Sequence, residues 1–160
     1  MVNKEEMLKV IANAEKEDND ASYSVTPEEM GKFKMNEKLP SLISAKKMEN
    51  DLKHKVTATK GYGLIEEMCL ISETSLKKTI NRSVRVTRQF LYKFTIGLQM
   101  SVEDANKLFE LCGGPLTEKN VADYICLNYL NTKDDIHKFC EQYEEYTGKK
   151  ITRLRCKTFP

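Results

Sequence analysis

Only four prolines and few glycine clusters interrupt the 160 residues, and no long alternation of β-branched residues is present. That leaves little room for a sheet and predicts an all-α protein, because helical periodicity fills most of the chain. No apolar run approaches the roughly 18 residues of a membrane helix. The first residues, Met1-Val2-Asn3-Lys4-Glu5-Glu6, lack an apolar secretory core, so a cytosolic protein without membrane contact is expected. The five cysteines, Cys69, Cys112, Cys126, Cys140 and Cys156, are spaced by 43, 14, 14 and 16 with no C-x-x-C pair, and the two histidines, His54 and His137, are isolated. Zinc sites need closely spaced sets and disulfide frameworks an even count, so buried free thiols are predicted and neither metal nor cofactor is implied. No histidine stands near a plausible nucleophile and no glycine-rich phosphate loop occurs, which argues against an enzyme.

One further absence points toward function. Residues 74–102 contain no Asp or Glu over 29 positions, in a chain with 24 acids among 160 residues. Six bases fall in that window: Lys77, Lys78, Arg82, Arg85, Arg88 and Lys93. The formal net charge of the whole chain is only +2, so the excess is local. Local positive charge attracts polyanions, above all the phosphates of nucleic acid. A solvated helix face is the ordinary meaning of such a run, so its structural setting decides.

The periodicity places amphipathic helices in quick succession. Met7, Leu8, Val10, Ile11 and Ala14 predict a helix over 4–16, followed by a polar linker and a helix start at Thr26-Pro27-Glu28-Glu29. After Leu39-Pro40, Ser41 is expected to cap a helix through Leu42, Ile43, Ala45, Met48 and Leu52, and 57–63 to form a turn. A two-turn helix over 62–70, a second over 73–81 capped by Ser72, and an apolar helix over 86–99 follow. Ser101 starts another helix that stops at Gly113-Gly114-Pro115; Thr117 starts the next, and Thr132 caps the last, which closes at Gly148. Residues 1–38 thus read as a helical extension and linker, 39–148 as the main helical domain, and 149–160 as a basic tail, either a short strand or an arm.

Two short helices joined by a tight turn, the second opening with Ser, are the elements of a helix-turn-helix. Ile71 would plug the space between them, and Leu76 and Ile80 would face inward. Thr74, Ser75, Lys77, Lys78 and Asn81 then point outward, a set of short donors and cations suited to base edges and phosphates. Arg82, Arg85 and Arg88 follow in the next loop as phosphate contacts. Residues 62–147 resemble the Cro/cI-type (XRE-like) helix-turn-helix proteins of Firmicutes and their phages, in a form with a C-terminal helical pair. The match runs through Ile96-Gly97-Leu98-Gln99-Met100-Ser101-Val102-Glu103-Asp104-Ala105-Asn106-Lys107-Leu108-Phe109-Glu110-Leu111-Cys112-Gly113, then Asn120-Val121-Ala122-Asp123-Tyr124-Ile125 and Thr132-Lys133-Asp134-Asp135-Ile136-His137-Lys138-Phe139. The resemblance implies a λ-repressor-like helix-turn-helix bundle with additional N- and C-terminal helices, and DNA binding in transcription regulation. The chain departs from that pattern in its DNA-reading half. Leu70 stands where a glycine usually turns the corner, Glu66 where a small residue usually packs, and Val84-Arg85-Val86-Thr87-Arg88 where a proline usually opens the next helix.

Residues 103–147 hold ten acids against four bases, a net of −6, and should repel DNA. That acidic half could serve a protein partner or a homodimer. The alternative function is therefore a helix-turn-helix scaffold without DNA binding, acting through protein contacts as an adaptor or inhibitor. Helix 4–16 would be a packing extension or a swapped dimer arm. Tyr124, Tyr129, Tyr143 and Tyr146 sit at helical spacings and are expected in the packing.

Overall fold

The computed structural model describes Glu5 and residues 38–151. The expected helix start at Thr26, the linker before it, all of helix 4–16 but Glu5, and the tail beyond Ile151 lie outside the described residues. Among the described residues the chain forms seven α-helices and no strand: α1 Leu39–His54, α2 Ala58–Cys69, α3 Glu73–Ile80, α4 Arg88–Gly97, α5 Val102–Phe109, α6 Val121–Thr132 and α7 Ile136–Thr147. None is long and apolar enough to cross a membrane.

Central to the packing is α4, which touches α2, α5, α6 and α7. Its Leu91, Tyr92, Phe94, Thr95 and Ile96 are all buried, because an apolar helix that meets neighbours on several sides has no solvated face to spare. Ile65, Cys69, Ile71 and Leu76 bring the α2–α3 pair onto it; Phe109, Ile125, Tyr129, Phe139 and Tyr143 close the other side. Tyr92 lies within 5.5–6.3 Å, ring centre to ring centre, of Phe109, Phe139 and Tyr143, geometry worth about 0.5–1.5 kcal/mol per pair beyond simple burial. Close approach is enforced at Gly97, where a Cβ would run into the Met68 carbonyl and Cys69. Cys69, Cys112, Cys126 and Cys140 are buried free thiols, as their spacing predicts.

One local device recurs at four of the corners. A residue in the left-handed region is followed by one intervening residue and then by a helix N-cap: Lys55-Val56-Thr57, Leu70-Ile71-Ser72, Gln99-Met100-Ser101 and Lys133-Asp134-Asp135. The side chain of each cap accepts a hydrogen bond from an N–H of the first turn, at Lys60, Ser75, Asp104 and His137. None of the four left-handed residues is glycine, so each corner carries strain of about 1–2 kcal/mol that the surrounding packing must outweigh.

Several helix starts differ from expectation. Ser41 does not cap α1; the helix begins at Leu39, its N-cap position is Lys38, and Lys38 makes no capping hydrogen bond. The supposed turn over 57–63 is the first half of α2, opened by Thr57. Glycine weakens a helix by about 1 kcal/mol, but Gly61 is required there because a Cβ would collide with the Asp51 carboxylate. Asp51 is itself held by Lys47 Nζ at 2.6 Å in a buried pair, and the same ammonium donates to the Ala58 carbonyl at 2.8 Å. Asn120 caps α6 in place of Thr117, and Asp135 caps α7 in place of Thr132, which instead ends α6. In α1 only Ile43 of the five apolar residues expected to line the helix is buried. Leu42, Met48 and Leu52 face solvent.

Candidate nucleic-acid interface

Helix α2 ends at Leu70, whose φ of 56° and ψ of 37° reverse the chain without glycine. Three contacts hold this conformation. Leu70 N–H donates to the Glu66 carbonyl at 3.0 Å, Ile71 is 2% exposed in the gap between the helices, and Lys93 Nζ from α4 donates to the Leu70 carbonyl at 3.1 Å. Ser72 then opens α3, its hydroxyl accepting from Ser75 N–H at 3.1 Å. Glu66 has a defined role as well: its carboxylate accepts from Glu73 N–H at 3.2 Å, satisfying another free donor of the first turn. A carboxylate there also complements the positive end of the helix dipole.

Leu76 and Thr79 face the core, Thr79 being buried with its hydroxyl on the Ser75 carbonyl at 2.8 Å. Thr74, Ser75, Lys77 and Lys78 are exposed on the opposite side of α3. Lys77 lies 3.9 Å from Glu73 and 5.0 Å from the centre of the Tyr62 ring, whose neighbourhood also holds Lys47 at 4.2 Å. The Lys78 side chain is exposed, while its backbone carbonyl accepts from Ser83 N–H at 2.9 Å. Beyond α3, Asn81 is exposed, but its side-chain oxygen is occupied by the Ser83 N–H at 2.9 Å and by the Ser83 hydroxyl. Arg82 and Arg85 are exposed; Arg82 donates to Ser41 Oγ at 2.8 Å and shares an open cleft of about 670 Å³ with Lys38, Ser41 and Leu42. Seven of the eight expected contact residues therefore lie on one continuous segment, 74–85, at the surface.

Arg88 does not join them. It is the first residue of α4, and its guanidinium turns inward, donating to the Cys112 carbonyl at 2.6 Å, the Gly114 carbonyl at 2.8 Å and Asp123 Oδ2 at 2.8 Å. Asp123, 3% exposed, also accepts from the Tyr92 hydroxyl and from Thr117 N–H at 3.2 Å. Burial opposes the Arg88 charge, but Asp123 and Tyr92 outweigh it and hold its pKa above the usual value. Burial, reinforced by Asp123, raises the Tyr92 hydroxyl far above the tyrosine range. This knot ties the start of α4 to the α5–α6 loop and to α6. Asp123 is therefore an internal ligand of Arg88, although by sequence it counts among the acids expected to repel DNA. The Asn120-x-x-Asp123 capping spacing shows that Asp123 lies in the first turn of a helix, but nothing local pairs it with Arg88, 35 positions away.

The positive surface has an uneven distribution. Glu66 and Glu73 stand at the first turn of α3, whereas Lys77, Lys78, Arg82 and Arg85 gather at its second turn and in the loop beyond. Among the described residues no group of three or more His, Cys, Asp and Glu side chains is arranged to hold a metal ion. Compared with known proteins, the chain matches no family model, no curated protein and no solved structure.

Proposed function

We propose that the protein binds double-stranded DNA as a transcription regulator, with α2 and α3 as a λ-repressor-like helix-turn-helix. The observation that carries the reading is the outward positive charge on the helix that follows the left-handed corner at Leu70. The turn leaves the outer side of α3 exposed, with Lys77 and Lys78 upon it. With two carboxylates at the first turn of α3, phosphates are met by Lys77, Lys78, Arg82 and Arg85, and Thr74 and Ser75 provide the short donors for base edges. Binding on these terms is dominated by the backbone and strongly salt-dependent.

The test is a salt-titrated shift assay on the DNA upstream of the protein's own gene and on unrelated duplexes. The wild type should be retained, with affinity falling steeply as salt rises. Lys77→Glu with Lys78→Glu should lower the affinity about 100-fold or more at low salt and flatten the salt dependence by about two phosphate contacts. Retention of neither protein, or equal retention of both, would sink the reading.

The second reading, a helix-turn-helix scaffold that acts through protein contacts, is favoured by one observation: the largest exposed apolar side chains gather on α1.

A further inference from the structure

A second basic segment lies outside residues 74–102. Residues 52–65 contain Lys53, His54, Lys55 and Lys60 and no Asp or Glu over 14 positions. They form the end of α1, the corner at Lys55-Val56-Thr57 and the first two turns of α2. All four basic residues are exposed. The acid just before them, Asp51, is buried and paired with Lys47 at 2.6 Å, so that pair adds no net charge. What sets the three lysines apart is how their ammonium groups are left. Lys46, Lys77, Lys107 and Lys138 each lie 3.3–3.9 Å from a carboxylate three or four positions away. The Nζ atoms of Lys53, Lys55 and Lys60 make no hydrogen bond or ion pair among the described residues. Glu49, one turn before Lys53, is taken up by Lys46. Unpaired cations gathered on one corner attract a polyanion, which sheds its counterions on binding.

Tertiary packing brings this corner against α3. Lys47 Nζ donates to the Ala58 carbonyl at 2.8 Å, which fixes the start of α2 on α1. The same ammonium lies 4.2 Å from the centre of the Tyr62 ring, and Lys77 Nζ of α3 approaches that ring at 5.0 Å. Tyr62, two residues beyond Lys60, thus joins the corner to the cationic side of α3. We propose that the α1–α2 corner is a second phosphate-contacting surface, where Lys53, Lys55 and Lys60 engage the backbone of the duplex that meets α3. The inference rests on the DNA-binding reading and adds to it a contact set outside residues 74–85. Ammonium groups on flexible stems meet phosphates as point charges, so the corner adds affinity without sequence preference.

Salt-titrated shift assays with the full chain test it, on the upstream DNA and on unrelated duplexes. Lys53→Gln, Lys55→Gln and Lys60→Gln together should leave the helical circular dichroism unchanged. They should lower the affinity about 30-fold at low salt and reduce the salt slope by about two to three phosphate contacts. The loss should be equal on both kinds of duplex. Arginine at the same three positions keeps the charge and should bind as the wild type does. Unchanged affinity in the glutamine variant, a loss with an unchanged salt slope, or an equal loss in the arginine variant overturns the proposal. If only Lys77→Glu with Lys78→Glu loses retention, the α3 reading stands and this surface falls; retention of no protein overturns both. Binding to anionic phosphatidylserine vesicles that needs the three lysines, with duplex binding that does not, assigns the corner to a membrane surface and overturns the proposal too.

Discussion

The α2–α3 and α6–α7 corners are built alike and lead to surfaces of opposite character. Leu70 and Lys133 both take the left-handed conformation, and two residues later Ser72 and Asp135 cap the following helix. Ile71 fills the first corner, whereas Asp134 occupies the same place in the second, with its backbone partner Asp135 and then Lys138 holding its pKa below the usual carboxylate range. Past the first corner the exposed side of α3 carries Lys77 and Lys78; past the second, α7 exposes Glu141 and Glu145 against the single base Lys138. A tight corner between two helices therefore does not by itself mark a nucleic-acid reader. The outward charge of the second helix separates the two, and only the first has the sign that phosphate requires.

The comparison can be pressed hardest with alkali. Burial raises the thiols of Cys69 and Cys126 well above their ordinary 9.0, and Tyr129, mainly through burial, is pushed up from 10.0 to about 12. Tyr92 and Tyr143 are raised too, again with burial as the main cause. All are acids with folded pKa values above their unfolded ones. Above about pH 9 the folded chain thus holds more protons than the unfolded chain, and stability falls as pH rises. The urea midpoint should be level between about pH 6 and pH 8 and decline from about pH 9. Four of these five groups lie in α4, α6 and α7, so near-ultraviolet tyrosine signals should report the loss. A flat profile to pH 11 would contradict the burial argument.

Next in size is the knot that fastens the acidic half to α4. Removing one partner of a buried charge pair costs about 3–5 kcal/mol, and Asp123→Ala leaves the Arg88 guanidinium without its carboxylate. Arg88→Ala should approach the same loss and, if α6–α7 depends on this tie, should split the single urea transition into two. Loss of less than about 1 kcal/mol in both variants would show that the pair is solvated. The first corner is probed by Glu66→Ala, which removes the acceptor of Glu73 N–H and should cost about 1 kcal/mol. Glu66→Gln keeps an acceptor oxygen and should recover part of it.

The smallest effects test strain at the corners. Lys55 is exposed in the left-handed region at φ 55°, and its side chain makes no contact that glycine would forfeit. Lys55→Gly should stabilise by up to about 1 kcal/mol, after the greater freedom of the unfolded chain is subtracted. Leu70→Gly relieves similar strain but gives up a half-buried side chain packed against the core, and should yield no gain. Equal gains at both positions would mean that Leu70 packs no better than an exposed lysine.

The all-helical class and most helix spans were legible in the chain, and so were Ile71 and Leu76 as buried residues, because they follow from local periodicity and capping chemistry. The outward placement of Thr74, Ser75, Lys77 and Lys78 was legible on the same basis. At three places where local rules failed, a partner outside the local pattern had intervened. Gly61 reads as a turn residue until Asp51 of α1 is placed against it. Leu70 reads as an obstacle to a positive φ until Ile71 and Lys93 hold the corner, and Glu66 reads as an ill-fitting side chain until it reaches Glu73. The mismatches at Leu70 and Glu66 thus have compensations supplied by neighbouring residues.

By itself, then, the sequence determined that the described chain is helical, where several of its corners fall, and that positive charge concentrates between Lys77 and Lys93. Tertiary structure alone decided how that charge is used. Arg88 and Lys93 are turned inward toward carbonyls and, for Arg88, a buried carboxylate, while Lys77, Lys78, Arg82 and Arg85 remain at the surface. A charge run records composition along the chain, but the direction of each charge depends on partners tens of residues away, and no local pattern encodes them.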